Sequence, residues 1–201
     1  MTQPAGLGFR SHSGWAAVVA VSGSPLNPVV LERRRIEIAD STIMESKQPY
    51  HAAQRLDLLQ AEALIRSCRD RSTILATEAV RGMLVDLEKR DHPVVAAGLL
   101  CGAGRTLPNL ATTLRSHALI HTAEGEFFRD VLELACEPCA LRLTRVKERE
   151  LWDWSAIVFH LSSRELQRRI HELGRSLGPP WRQDEKMASL AAWIALAESY
   201  L

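Results

Sequence analysis

The sequence predicts an α/β fold: a three-stranded antiparallel meander, then two strands joined through helices, then a closing C-terminal helix. Three observations point there. Residues 6–39 hold short β-branched or alternating segments separated by Gly, Pro and Ser clusters, the pattern of paired strands. Val94–Cys101 (VVAAGLLC) is a continuous apolar run between Pro93 and Gly102, as expected of a strand buried on both faces of a sheet. Stretches of helical periodicity lie on either side of it, so helix and strand signals alternate along the chain.

The elements follow in order. Gly6–Phe9 reads as a short strand entering a turn at Ser11–Gly14. Ala16–Val21 is apolar and β-branched, Ser22–Pro28 is a loop, and Val29–Ala39 alternates in part. Pro49 suits the first turn of a helix in which Ala52, Ala53, Leu56, Leu59, Ala63, Leu64 and Cys68 recur near the helical period. Arg69–Ser72 is either a break or its solvated side, and the pattern resumes at Leu75 and runs to Leu87 before His92-Pro93 ends it. Pro108 opens a second helical stretch, with Gly125 a candidate break and Phe127, Phe128, Val131, Leu132 and Ala135 its apolar face. Leu141–Val146 alternates apolar with basic and reads as an edge strand. Leu151–His171 reads as helix and Gly174–Pro180 as loop. Gln183–Leu201 is an Ala-rich helix with Gln183 or Asp184 near its cap.

Bulk properties bound the function classes. The chain of 201 residues is expected to form one domain over residues 1–201. A chain of this size buries roughly 70% of its unfolded surface without help from disulfides or a structural metal. Its net charge is +1 and its pI about 7.8, below the pI of about 9 that marks a strongly basic nucleic-acid binder. It has no run of about 18 apolar residues, hence no expected membrane span, and its first residues lack a signal-peptide pattern. Cys68, Cys101, Cys136 and Cys139 are too few and too uneven for a secreted disulfide scaffold. A reducing cytoplasm is the expected location.

Two local stretches carry a resemblance. Gly8-Phe9-Arg10-Ser11-His12-Ser13-Gly14-Trp15-Ala16 resembles the opening of RuvC-like Holliday-junction resolvases, and Asp184-Glu185-Lys186-Met187-Ala188-Ser189-Leu190-Ala191 resembles their closing helix. The resemblance implies a ribonuclease H-like fold and a divergent, divalent-metal-dependent phosphodiester hydrolase or nuclease. Mg²⁺ or Mn²⁺ would be its cofactor, ahead of Zn²⁺, and nucleic acid its partner. In such enzymes clustered carboxylates hold two hard cations that activate water and stabilise the leaving oxygen. The sequence departs from that pattern. Arg10 stands near the position of the first-strand aspartate, and the fourth strand ends Leu100-Cys101-Gly102 without an acid. Only Asp184 and Glu185 lie where the acidic set carries over. An arginine ligates no metal, but it can hold a phosphate or carboxylate through two hydrogen bonds.

Other constellations have a chemical and a structural reading each. On a helix, His117, His121 and Glu124 share one face, a common donor set for zinc, manganese or iron, with Glu126 nearby; alternatively they satisfy a helix junction. Gly102-Ala103-Gly104-Arg105 after a buried strand can cradle an anion, or be a plain strand-to-helix turn. Cys136 and Cys139 form a lone C-x-x-C, which reads better as a helix-to-strand turn than as a zinc or redox pair. Arg33-Arg34-Arg35 and Arg142, Arg145, Lys147 and Arg149 are interleaved with acids and read as solvated faces or nucleic-acid contacts. Trp152, Trp154 and Trp181 border either a site or a helix–helix contact.

The expected functional face gathers Arg10, Ser11 and His12, Gly102 to Arg105, and Asp184 with Lys186, joined by His121 and Glu124. In the hydrolase reading Asp184, Glu124, His117 and His121 hold metal, and His121 or His12 is base or ligand. Arg10 and Arg105 grip phosphate beside Gly102, Gly104, Ser11 and His12. Loss of the acidic cluster implies the alternative, a non-catalytic ribonuclease H-like module that binds nucleic acid or a protein. A homodimer through the Met187–Leu196 helix is a further expectation.

Overall fold

Strand β1 (Ala5–His12) lies at the centre of a five-stranded sheet in the computed structural model, which describes residues 2–102, 104 and 106–200. β2 (Trp15–Ser24) and β3 (Asn27–Glu37) continue antiparallel on one side; β4 (Val94–Cys101) and β5 (Arg142–Lys147) add in parallel on the other, giving the order β3-β2-β1-β4-β5. This is the meander with two crossover strands of the ribonuclease H-like plan. The β1–β2 turn is tighter than expected, only Ser13-Gly14, with Gly14 at φ 84°, where a side chain is disfavoured. The expected Ser22–Pro28 loop is mostly strand, with Pro25 and Leu26 as its turn.

Helices cover both faces, which explains the unbroken apolar run of β4. On one face Leu7, Phe9, Ala97 and Leu99 meet α2 (Leu58–Glu88) and α4 (His117–Cys136), whose Phe127, Phe128, Val131 and Leu132 are buried. On the other, Val19, Val21, Leu100 and Val146 meet α5 (Leu151–Phe159), α6 (Ser163–Leu173) and α7 (Gln183–Glu198). The alternation of strand side chains makes the division: odd positions of β1 face α2 and α4, even positions face α7. At Gly6, Gly8 and Gly98 the even face has no side chains. There α7 lies with Ala188, Ala191 and Ala192 directly on the strands; a Cβ on Gly8 would collide with the Ala188 carbonyl and one on Gly98 with that of Ala191. The Ala-rich composition of α7 is therefore a packing requirement. The Met187–Leu196 segment is buried within the chain, which removes it as a free dimer face.

Three expected helices are broken by caps that periodicity does not register. The first stretch divides into α1 (Pro49–Ala53) and α2, because the Asp57 carboxylate accepts from Gln60 N (2.9 Å) and starts a new helix; Arg69–Ser72 is no break. The second divides into α3 (Leu110–Leu114) and α4 at Ser116, whose hydroxyl accepts from Leu119 N (3.4 Å), and Gly125 lies unbroken inside α4. The third divides where His160 takes the left-handed conformation (φ 50°) and Ser162 caps α6. At α7 the cap is Arg182, next to Gln183 and Asp184 as expected; Glu185 accepts from Arg182 N (2.7 Å), so the Asp184 carboxylate is left for tertiary contacts. Trp193 is buried and stacked on Phe159 (3.8 Å), and the Trp181 indole donates to the Ile170 carbonyl (2.8 Å). Among the described residues no helix is long and apolar enough to cross a membrane.

Candidate functional site

The carboxyl ends of β1 and β4 lie beside the first turn of α7 and the first half of α4. Arg10 and His12 share the even face of β1 and so meet α7. Arg10 Nη1 donates to Asp184 Oδ1 (2.6 Å), while its Nε and Nη2 donate to the two Glu148 oxygens (3.2 and 3.4 Å). His12 Nε2 lies 3.0 Å from the same Asp184 Oδ1, and its ring stacks on Trp15 (4.1 Å), which also carries the Arg35 guanidinium (3.9 Å). The Arg10 and Asp184 side chains are 20% and 25% exposed, so the pairing is half-buried.

This arrangement decides one expectation. Two hard cations need several carboxylate oxygens free to converge. Here a guanidinium lies between Asp184 and Glu148 and engages one oxygen of the first and both of the second. The residues at this position do not fit a two-cation centre. Asp184 makes its contacts with Arg10 and His12 and lies outside the grouping of His117 and His121.

A second cluster lies between α1 and α4. His117 and His121, one turn apart, bring their Nε2 atoms to 3.0 Å. His51 of α1 joins them, and one donor nitrogen from each of the three rings lies within 4.8 Å of the others. Glu124, one turn on, faces inward. Its Oε1 accepts from Tyr50 N (2.8 Å) and His51 N (3.1 Å) and lies 3.3 Å from His51 Nδ1. Its Oε2 is buried with no partner among the described residues. Glu124 is only 5% exposed, and burial pushes its carboxyl above the usual range while the hydrogen bonds from His51 and Tyr50 pull the other way. Of the expected His117, His121 and Glu124 set, the two histidines group with His51, and Glu124 holds α1 and its histidine.

The two clusters share a cleft of about 210 Å³, lined by Ser11, His12, His51, His121, Glu124 and Arg129 among others. A neighbouring, more open cleft carries Gly102, Gly104, His121, Glu126 and Arg129, with the Arg129 guanidinium donating to Glu126 (2.8 Å). Of the residues expected at a phosphate-binding site, Ser11 and His12 lie on the first cleft and Gly102 and Gly104 on the second; Arg105 lies outside the described residues.

Sequence reasoning missed His51, Arg129 and Glu148. His51 falls in a segment that periodicity assigns to one long helix, Arg129 is a single helical arginine, and Glu148 looks like one more acid in a basic run. The basic runs are largely committed within the fold: Arg33 donates to the Gly178 and Pro179 carbonyls (2.9 and 3.0 Å), Arg34 pairs with Asp86 (2.8 Å), and Arg145 with Glu133 (2.7 Å). Cys136 is buried and free, its thiol pushed up to about 12 by that burial, which makes it a poor nucleophile or metal ligand.

Comparison with solved structures aligns the chain with T. thermophilus RuvC in complex with a Holliday junction substrate, at a TM-score of 0.54 and 8% identity, covering 98% of this chain and 95% of that one. A second Thermus thermophilus RuvC structure aligns at a TM-score of 0.53 and 7% identity, covering 96% and 94%. The shared architecture is the ribonuclease H-like fold over nearly the whole chain. No protein-family model matches the sequence, and no curated protein matches it.

Proposed function

We propose that the chain is a nucleic-acid-binding module of RuvC-like architecture that does not cut by the two-cation route. The observation that carries this reading is Arg10, whose guanidinium is bound by Asp184 and Glu148 at the end of the central strand. With its nitrogens committed to those two carboxylates, Arg10 leaves no vacant carboxylate pair at this position for two hard cations among the described residues. The likeness in fold to a RuvC solved with a Holliday junction substrate supports nucleic acid as the ligand class. Binding would use the cleft side chains of His12 and Arg129 and the backbone of Gly102 and Gly104.

The test is fluorescence anisotropy with labelled four-way-junction, duplex and single-stranded DNA over a salt series, run beside cleavage assays in Mg²⁺ and Mn²⁺. The expected result is binding whose log affinity falls linearly with log salt, and no cleavage. Absence of binding at low salt overturns the reading. Cleavage abolished by Asp184→Asn in a folded variant restores the carboxylate hydrolase.

A second reading is a phosphodiester hydrolase whose chemistry sits on the histidines, favoured by the convergence of His12, His51, His121, Glu124 and Arg129 on one cleft. Imidazole beside a buried carboxylate suits general acid–base work, and Arg129 would then hold the phosphate. Turnover of a phosphodiester that survives Asp184→Asn but is lost in His121→Ala would select it.

A further inference from the structure

We infer that His51, His117 and His121 form a binding site for a borderline divalent transition cation of the Zn²⁺ class, with Glu124 as the carboxylate that orients it. Three imidazoles from two helices place one donor nitrogen each within 4.8 Å of the others. A tetrahedral zinc with bonds of about 2.0–2.1 Å needs its nitrogen ligands roughly 3.3–3.4 Å apart, so the rings need only small adjustments. His117 and His121 are separated by one helical turn, which puts both side chains on the same face of α4. Their facing Nε2 atoms, 3.0 Å apart, can share at most one proton, whereas a cation engages both lone pairs.

Glu124 supplies the second, independent observation. It is 5% exposed and lines the cleft that also carries His51 and His121, and its Oε2 is buried with no hydrogen-bond partner among the described residues. A buried, unpartnered carboxylate oxygen on a side chain that also touches one of the three imidazoles calls for a cation or a proton. Its other oxygen, near His51 Nδ1 and bound to two backbone N–H groups of α1, can fix the tautomer that leaves His51 Nε2 unprotonated. Carboxylate–histidine–metal relays are built in this way. The donor set also selects the ion. Imidazole nitrogens suit zinc, cobalt, nickel and copper, whereas Mg²⁺ and Ca²⁺ prefer all-oxygen shells. The favoured cofactor class therefore shifts from Mg²⁺ or Mn²⁺ to Zn²⁺. Three protein ligands leave a fourth position open, the pattern of catalytic rather than structural zinc. The inference does not depend on nucleic-acid binding.

The experiment uses full-length protein stripped with chelator and dialysed, then given ZnCl₂, CoCl₂ or MgCl₂ separately. The expected result is a higher melting temperature with Zn²⁺ and Co²⁺ and none with Mg²⁺, together with the visible d–d absorption of tetrahedral Co²⁺ at one equivalent. The His117→Ala/His121→Ala double variant, both positions being exposed, should fold and lose both signals. Glu124→Gln should weaken Zn²⁺ affinity by about 10–100-fold. Cys139→Ser should change nothing. The inference is overturned if Zn²⁺ gives no shift, if the shift survives the double histidine variant, or if it disappears in Cys139→Ser. Should the double variant fail to fold, the Co²⁺ spectrum decides: nitrogen-dominated tetrahedral bands support the site, and thiolate-to-cobalt charge transfer overturns it.

Discussion

Asp40 follows β3 and accepts from Thr42 N (2.9 Å), the Thr42 hydroxyl (2.6 Å) and Arg71 Nε and Nη2 (2.9 and 2.7 Å). The Thr42 hydroxyl, then its N–H, then Arg71 lower the carboxyl from 3.8 to about 2. A value depressed in the folded state contributes stability that is full above the unfolded value and lost as pH falls through the folded one. Asp40→Asn should therefore flatten the acid limb of the stability profile between pH 3.8 and about 2, read by thermal unfolding across pH. An unchanged limb would assign that pH dependence to other carboxylates. The same scale shows why only half of the site was legible. Arg10 and Asp184, 174 residues apart, could be placed on one face because each lies in a stretch with a recognisable pattern, but Glu148, 138 residues from Arg10, reads only as one more acid in a basic run. His51 has no local signature at all. It acquires a role only when α1 docks on α4 and Glu124 takes hold of it.

At the scale of elements, strand identity was readable because a two-residue period and an uninterrupted apolar run are local properties. Helix boundaries were less so. Asp57, Ser116 and Ser162 each restart a helix inside an apolar pattern that continues in phase, and a periodicity argument counts faces without noticing a cap. Asp57 is the case with the most consequence, since its cap separates α1 from α2 and so lets His51 turn toward α4. Asp57→Ala should cost about 1 kcal/mol, measured by urea unfolding. A loss near zero would mean that the packing of α2, not its cap, sets the boundary.

Across the whole molecule, the sheet brings together chain segments that no linear pattern connects: the end of β1, the start of α4, the segment after β5 and the start of α7. Composition and element order were enough for the architecture, because each layer must bury its apolar side. They were not enough for the site, because convergence at one end of a sheet is a property of three-dimensional register. Gly98→Ala tests that register from a distance. The new methyl would press on the Ala191 carbonyl, and overpacking of this kind costs about 1–3 kcal/mol. Nucleic-acid affinity should fall along with stability, although Gly98 touches neither cleft. Full retention of affinity in a destabilised Gly98→Ala protein would uncouple seam from site.

The glycine–alanine seam thus works as a keyway. Backbone rests on backbone at Gly6, Gly8 and Gly98, with no pliable side chain between to absorb displacement. Helix α7 is seated directly on the strands, and Asp184 at its first turn is positioned by that seating. Variation in the two side-chain clusters must then enter through Arg10, His12, Glu148 and the histidines of α1 and α4, while the helix that presents the aspartate rests on the sheet.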